Sequence, residues 1–184
     1  MKIPTEPAFC EVCRKPFKQW SSLARVCGYR CAAKVPKIER KAERARDRAS
    51  KEAQKTISQL ESECRVIVQH IARIRDRNDG CISCHMGPNY CGVWHGSHYR
   101  AHGGCSSLQM HLWNIHKSCA QCNLFKGGNR EGYVRGLVAK YGRERVEWLD
   151  CQPKSKKFSR EYLQRFKVVM RKRLNRLVKS AETL

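Results

Sequence analysis

The sequence predicts a small α+β fold stapled by metal, with long basic helices flanking a compact centre. Three observations predict it. Eight of the 12 cysteines fall into closely spaced pairs. Residues 39–79 contain neither Gly nor Pro and are rich in Ala, Glu, Lys and Arg, the composition of long helix. Residues 159–181, "SREYLQRFKVVMRKRLNRLVKSA", set apolar side chains at helical spacing among cations. Apolar material is otherwise scarce, with aromatics at 8% and a mean hydropathy of −0.67. A chain with so little to bury needs metal or packed long helices to stay folded.

Four segments follow in order. Residues 1–33 hold Cys10-x2-Cys13 and, 13 residues on, Cys27-x3-Cys31. That spacing puts four thiolates around one tetrahedral zinc, and so short a module cannot fold without the ion. Residues 34–79 read as a charged helical linker, one helix or two joined near Thr56-Ile57. Leu60, Cys64, Ile67, Ile71 and Ile74 give its second half an apolar stripe. Its first half is charged all round, either a solvated spacer or a basic arm along a phosphate backbone.

Residues 80–151 form the central domain. Cys81-x2-Cys84 is answered by Cys119-x2-Cys122 after 34 residues, so a second zinc would staple both ends of an insertion. Inside it, "YCGVWHGSHYR" reads as a strand or hairpin, broken by Gly103-Gly104. A short helix follows with Tyr133, Val134, Leu137, Val138 and Tyr141 inward and Gly142 as its stop. Pro153 and the adjacent lysines mark a linker. Residues 152–184 then carry the basic amphipathic helix, capped by Ser159, with Tyr162, Phe166, Val169, Leu174 and Leu177 along one side.

Net charge is +22, and each of the four segments is net positive. Nucleic acid is the partner class this favours. No run approaches the ~18 apolar residues of a membrane span, and "MKIPTEPAFC" lacks the basic-then-apolar order of a signal peptide. These features predict a cytoplasmic protein with no membrane partner and no small-molecule substrate. In that compartment metal, not disulfide, is the expected role of paired cysteines.

Five of the seven histidines, His95, His98, His102, His111 and His116, crowd into the central insertion. The order of "CISC", "GSHYR", "NIHKSCAQCN" and "NLFKGGN" resembles the HNH family of ββα-metal nucleases. Within it, the chain is similar to the NinG (Rap) recombination proteins of lambdoid phages, and the likeness runs over essentially the whole length. The resemblance implies an HNH-like ββα-metal core and a structure-selective endonuclease that cuts branched DNA such as Holliday junctions and D-loops in the bacterial host. It implies that His98 is the general base, that Asn114 pins the loop carrying it, and that Asn123 meets a catalytic divalent ion.

The family often has Asp or His immediately before the base, where this chain has Ser97. Residues 80–130 contain no Asp or Glu. Strand alternation groups His95 with Ser97, opposite His98, which nominates His95 as the replacement ligand. Imidazole and amide donors favour Mn²⁺ over Mg²⁺ at that site. Arg100, Lys117, Lys126, Arg130, Arg171, Lys172 and Arg173 are the candidate DNA contacts. Cutting two strands of a junction makes a homodimer attractive. His116 is expected to be structural, with leaving-group protonation as its alternative. His102 and His111 are expected in loops or at the surface, Trp94 and Trp113 in the core. Cys64, Cys91, Cys105 and Cys151 have no partner spacing and read as core or incidental thiols. A zinc-stapled nucleic-acid-binding protein without hydrolytic activity is the competing expectation.

Overall fold

The computed structural model describes residues 8–21, 23–84 and 86–182. The chain divides into two compact units, Met1–Lys55 and Thr56–Leu184. In the first, strands β1 (Ala8–Phe9) and β2 (Pro16–Phe17) pair antiparallel. A single helical turn, α1 (Tyr29–Ala32), leads to α2 (Val35–Gln54). Pro36 lies in the first turn of α2, where its missing N–H costs nothing. No residue of α2 is buried.

The second unit opens with α3 (Ile57–Arg75). The Thr56 hydroxyl accepts the Gln59 N–H at 3.2 Å, and the Gln59 side chain accepts the Thr56 N–H at 2.8 Å. This reciprocal cap starts a new helix, so the 34–79 segment is two helices. The expected linker is therefore corrected: α3 belongs to the core of the second unit. Its Leu60, Cys64, Val68 and Ala72 pack against Leu163 of α6 (Arg160–Glu182), with Met110 and Ile115. The C-terminal helix is likewise no separate segment. Its inward face runs through Leu163, Phe166, Lys167 and Met170, whereas Tyr162 and Val169, expected inward, stand half exposed. Lys167 occupies a core position because its ammonium reaches Glu63 at 2.8 Å while its stem packs.

At the centre, β3 (Trp94–His98) pairs antiparallel with β4 (Ile115–Cys119), Gly96 opposite Lys117. Helix α3 crosses one face at Gly96, where an added Cβ would lie 2.7 Å from the Gln69 Cα. The other face receives α4 (Arg130–Tyr141), whose Tyr133 and Leu137 join Tyr99, Leu108, Val146 and Leu149 in a second apolar cluster. Gly136 of α4 runs against the Ile82 carbonyl so closely that no side chain fits between them. Gly142, at a φ of 85°, alone separates α4 from α5 (Arg143–Cys151). Trp113, expected in the core, is 40% exposed, and Trp94 is only partly buried. Among the described residues no helix is long and apolar enough to cross a membrane.

Candidate functional site

Both cysteine quartets come together. The Sγ atoms of Cys10, Cys13, Cys27 and Cys31 lie within 4.8 Å of one another, and so do those of Cys81, Cys84, Cys119 and Cys122. Tetrahedral zinc at a Zn–S distance of about 2.3 Å implies sulfur–sulfur edges of about 3.8 Å. The observed edges are 3.7 Å for Cys13–Cys27, 3.6 Å for Cys27–Cys31 and 3.8 Å for Cys84–Cys119. Each quartet could hold zinc. In the central one, burial raises the Cys81 thiol, but the Cys119 and Ser83 amides and the Ser118 hydroxyl outweigh it and bring its pKa to about 7. Donors aimed at sulfur favour the thiolate that a metal requires.

Asn114, fully buried just before β4, ties down the loop that leaves β3. Its Oδ1 accepts the Arg100 N–H at 2.8 Å, and its Nδ2 donates to the carbonyls of Arg100 at 3.0 Å and Leu108 at 3.1 Å. His98, the last residue of β3, places Nε2 3.0 Å from the Gln109 carbonyl. A carbonyl only accepts, so Nε2 carries the proton and Nδ1 keeps its lone pair. No hydrogen bond engages that Nδ1 among the described residues. Burial lowers the His98 pKa, the Gln109 bond opposes this, and the neighbouring His102 and Arg65 side chains add to the lowering. The imidazole is neutral at pH 7. Arg65, from α3, is a residue the sequence reading missed; its guanidinium donates to the Gln109 side chain at 2.6 Å.

The π-helical turn Gln121–Phe125 follows β4 and sets Asn123 against His95, with 3.2 Å between the Asn123 amide nitrogen and His95 Nδ1. His95 and His98 are three residues apart on one strand and so occupy opposite faces. His98 lies across from Ile115, on the face packed by α3; His95 and Ser97 lie across from Ser118 and His116. The structure thus brings Asn123 to His95 and leaves His98 on the other side of the strand. One imidazole and one amide could offer a divalent ion two ligands, and no carboxylate lies between residues 80 and 130 to join them.

His116 is fully buried. Its Nδ1 donates to the Tyr133 hydroxyl at 3.2 Å, which in turn donates to the Ser97 carbonyl at 2.9 Å. Burial, then Arg75, press its pKa down to about 3. His102 is exposed, and His111 packs against Trp113 and Trp148. Cys64 and Cys105 are buried, Cys91 and Cys151 exposed.

Of the candidate DNA contacts, Lys126, Arg171, Lys172 and Arg173 are exposed. Arg130 lies over the Tyr99 ring beside Asp150 with its side chain mostly exposed. Two are corrected. Lys117 is buried, its ammonium donating to the Arg77 carbonyl at 3.0 Å and lying over the Trp94 ring. Arg100 donates to the carbonyls of Leu149, Asp150 and Gln152, closing the C-terminus of α5. Both cations are engaged by backbone carbonyls of the fold. A further unanticipated group is Asp76, which takes two bonds from Arg75 and one from Lys140. Burial raises its pKa, but these cations outweigh that and hold it at about 2.

Two sulfur quartets, a two-stranded hairpin and helices on both its faces define a small mixed α+β protein of the cysteine-cluster class. The family model described as Bacteriophage Lambda NinG protein matches residues 1–182, and the chain belongs to that family. It is similar to Protein ninG of Escherichia phage lambda, 36% identical over 83 residues, 45% of this chain and 40% of that protein. Protein ninG of Salmonella phage P22 is 31% identical over 110 residues, 60% of this chain and 53% of the relative. The chain therefore spans about half or less of the length of these curated relatives. No solved structure matches it significantly.

Proposed function

We propose that this member of the NinG family is a metal-dependent endodeoxyribonuclease that cuts branched recombination intermediates, Holliday junctions and D-loops, in the cytoplasm of a bacterial host. The observation that carries the reading is His98. A neutral imidazole has its proton fixed on Nε2 by the Gln109 carbonyl and its lone pair free on Nδ1. That is the state a general base needs. Nδ1 takes a proton from water as the water oxygen bonds to phosphorus; the bond to the departing strand oxygen breaks, and that oxygen is reprotonated from solvent. Asn114 keeps the loop beyond His98 in place, and Arg65 sets positive charge beside the base. His95 and Asn123 would hold a catalytic Mg²⁺ or Mn²⁺, Mn²⁺ favoured, which when bound neutralises phosphate charge. On this reading the β3–β4 hairpin and the turn carrying Asn123 are the HNH-like ββα-metal core. Zinc fills both quartets, Lys126, Arg130 and Arg171–Arg173 contact DNA, and a homodimer supplies the second cut.

A second reading, a zinc-stapled DNA-binding protein without hydrolytic activity, is favoured by one observation. Asn123 pairs with His95 on the strand face away from His98. A four-way-junction assay separates the two. Under the first reading, His98→Ala lowers cleavage about 10²–10⁴-fold with junction binding kept, and Mn²⁺ outperforms Mg²⁺. A wild-type chain that binds junctions but never nicks them in any divalent metal leaves only the second.

A further inference from the structure

The N-terminal unit carries a surface that the candidate site does not use. At 3.6 residues per turn, Lys37, Arg40, Lys41, Arg44, Arg48 and Lys51 fall within about 100° of arc on α2. No acidic residue lies in that arc; Glu39, Glu43 and Asp47 form their own line on another side of the helix. Five of the six cations line one shallow groove with Ala45. None of the six is in an ion pair among the described residues, and every one is exposed.

Charge on this helix is sorted. At i,i+4 the like-charged pairs Lys37–Lys41, Arg40–Arg44, Arg44–Arg48, Glu39–Glu43 and Glu43–Asp47 outnumber the opposite pairs, Asp47–Lys51 and Arg48–Glu52. Like-charged pairs oppose an isolated helix, whereas interleaved opposite charges would support it. Helix α2 buries no side chain to offset that repulsion. A polyanion lying along the cationic line would.

We propose that this face of α2 is a binding surface for the phosphate backbone of a double-stranded DNA arm. The dimensions agree. From Lys37 to Lys51 the helix rises about 21 Å, over which one strand of B-DNA presents about six phosphates. The groove offers point charges and no apolar pocket, so it reads backbone and carries no base code. The inference rests on the nucleic-acid half of the proposed function and not on hydrolysis.

The test is equilibrium binding of the full zinc-loaded chain to a plain duplex, as log affinity against log salt. The variants are Lys41→Gln/Arg44→Gln/Arg48→Gln and, as control, Glu39→Gln/Glu43→Gln/Asp47→Asn. Gln keeps helix propensity, and circular dichroism checks helicity. The basic triple should flatten the slope by about 2.7, about 0.9 for each lost phosphate contact, and weaken binding roughly tenfold or more at moderate salt. The acidic triple should leave the slope intact. Should the basic triple lose helicity, Arg44→Gln and Arg48→Gln alone carry the test, each lowering the slope by about 0.9. An unchanged slope in the basic variants, or an equal loss in the acidic one, overturns the proposal. A chain that never cleaves a junction yet shows the slope loss removes the nuclease reading and leaves this surface standing.

Discussion

The two cysteine quartets have matching sulfur spacing and different surroundings. Around the first, Cys13 and Cys27 are exposed, and the described apolar residues buried in that unit are Cys10, Ala24 and Cys31 alone. Phe9, Trp20, Leu23 and Tyr29 all face solvent. Around the second, Cys81, Cys119 and Cys122 are buried, Tyr90 and Trp94 pack on them, and two further apolar clusters share the unit. The contrast separates two uses of one motif. Where there is no core, the affinity of a metal held by the quartet would be folding energy; where helices already bury apolar stripes, a metal would fix the ends of a hairpin.

Removing metal should expose that difference most sharply. Zinc binding to such sites is worth about 10–16 kcal/mol in small domains. Cys10→Ser, or a chelator, should collapse the amide spectrum of residues 8–33 to unfolded positions. Helices α3 and α6 should stay protected in hydrogen exchange after either treatment. Loss of the α3–α6 core on mutation of Cys10 would break the comparison.

A smaller effect tests the packing that makes the second unit less dependent on metal. Gly96→Ala drives a methyl into the backbone of α3 at Gln69. It should lower stability by about 1–3 kcal/mol in denaturant titrations, with the first unit's signals unmoved. Wild-type stability in that variant would mean the helix–hairpin contact is loose.

Acid should also act unequally. The His116 pKa lies near 3 in the fold, below its ordinary 6.5, so the native state holds it neutral while the unfolded chain takes a proton. Its contribution is complete above pH 6.5 and falls as pH drops toward 3, by up to about 1.4 kcal/mol per pH unit. The second unit alone should show this slope between pH 6.5 and 5, and the His116 ring should remain unprotonated by NMR at pH 5. Protonation at pH 6 would contradict the buried Tyr133 pairing. The smallest change is Lys167→Met. It keeps the packed stem and removes a charge paired with Glu63, so it should shift stability by less than about 1 kcal/mol, whereas Lys167→Ala should cost more.

Cysteine spacing made both quartets legible, because ligand geometry is written in short intervals along the chain. The apolar period made α3 and α4 legible for the same reason. What escaped depended on contacts distant in sequence. Lys167 hid the true inward face of α6, since a cation at a core position makes sense only with Glu63, 104 residues away, beside it. Lys117 and Arg100 looked like DNA contacts until their carbonyl partners were in place. Thr56 and Gln59 spell a reciprocal cap that divides the long helical stretch, a local signal not used in setting the linker's limits. Helix α5 was not anticipated at all. Its Val146 and Leu149 are its only buried side chains, too few for a clear period.

The pairing of α3 with α6 has a consequence for synthesis. Cys64 donates to the Leu163 carbonyl across 99 residues, so the apolar stripe of the earlier helix, which Met110 and Ile115 cover only in part, stays incompletely covered until the later one leaves the ribosome. At about 5–20 residues per second, that interval lasts on the order of 5–20 s, long enough for nascent chains to meet. A nascent chain truncated before residue 160 would lack the Leu163 side of this cluster and should aggregate rather than accumulate as a folded fragment.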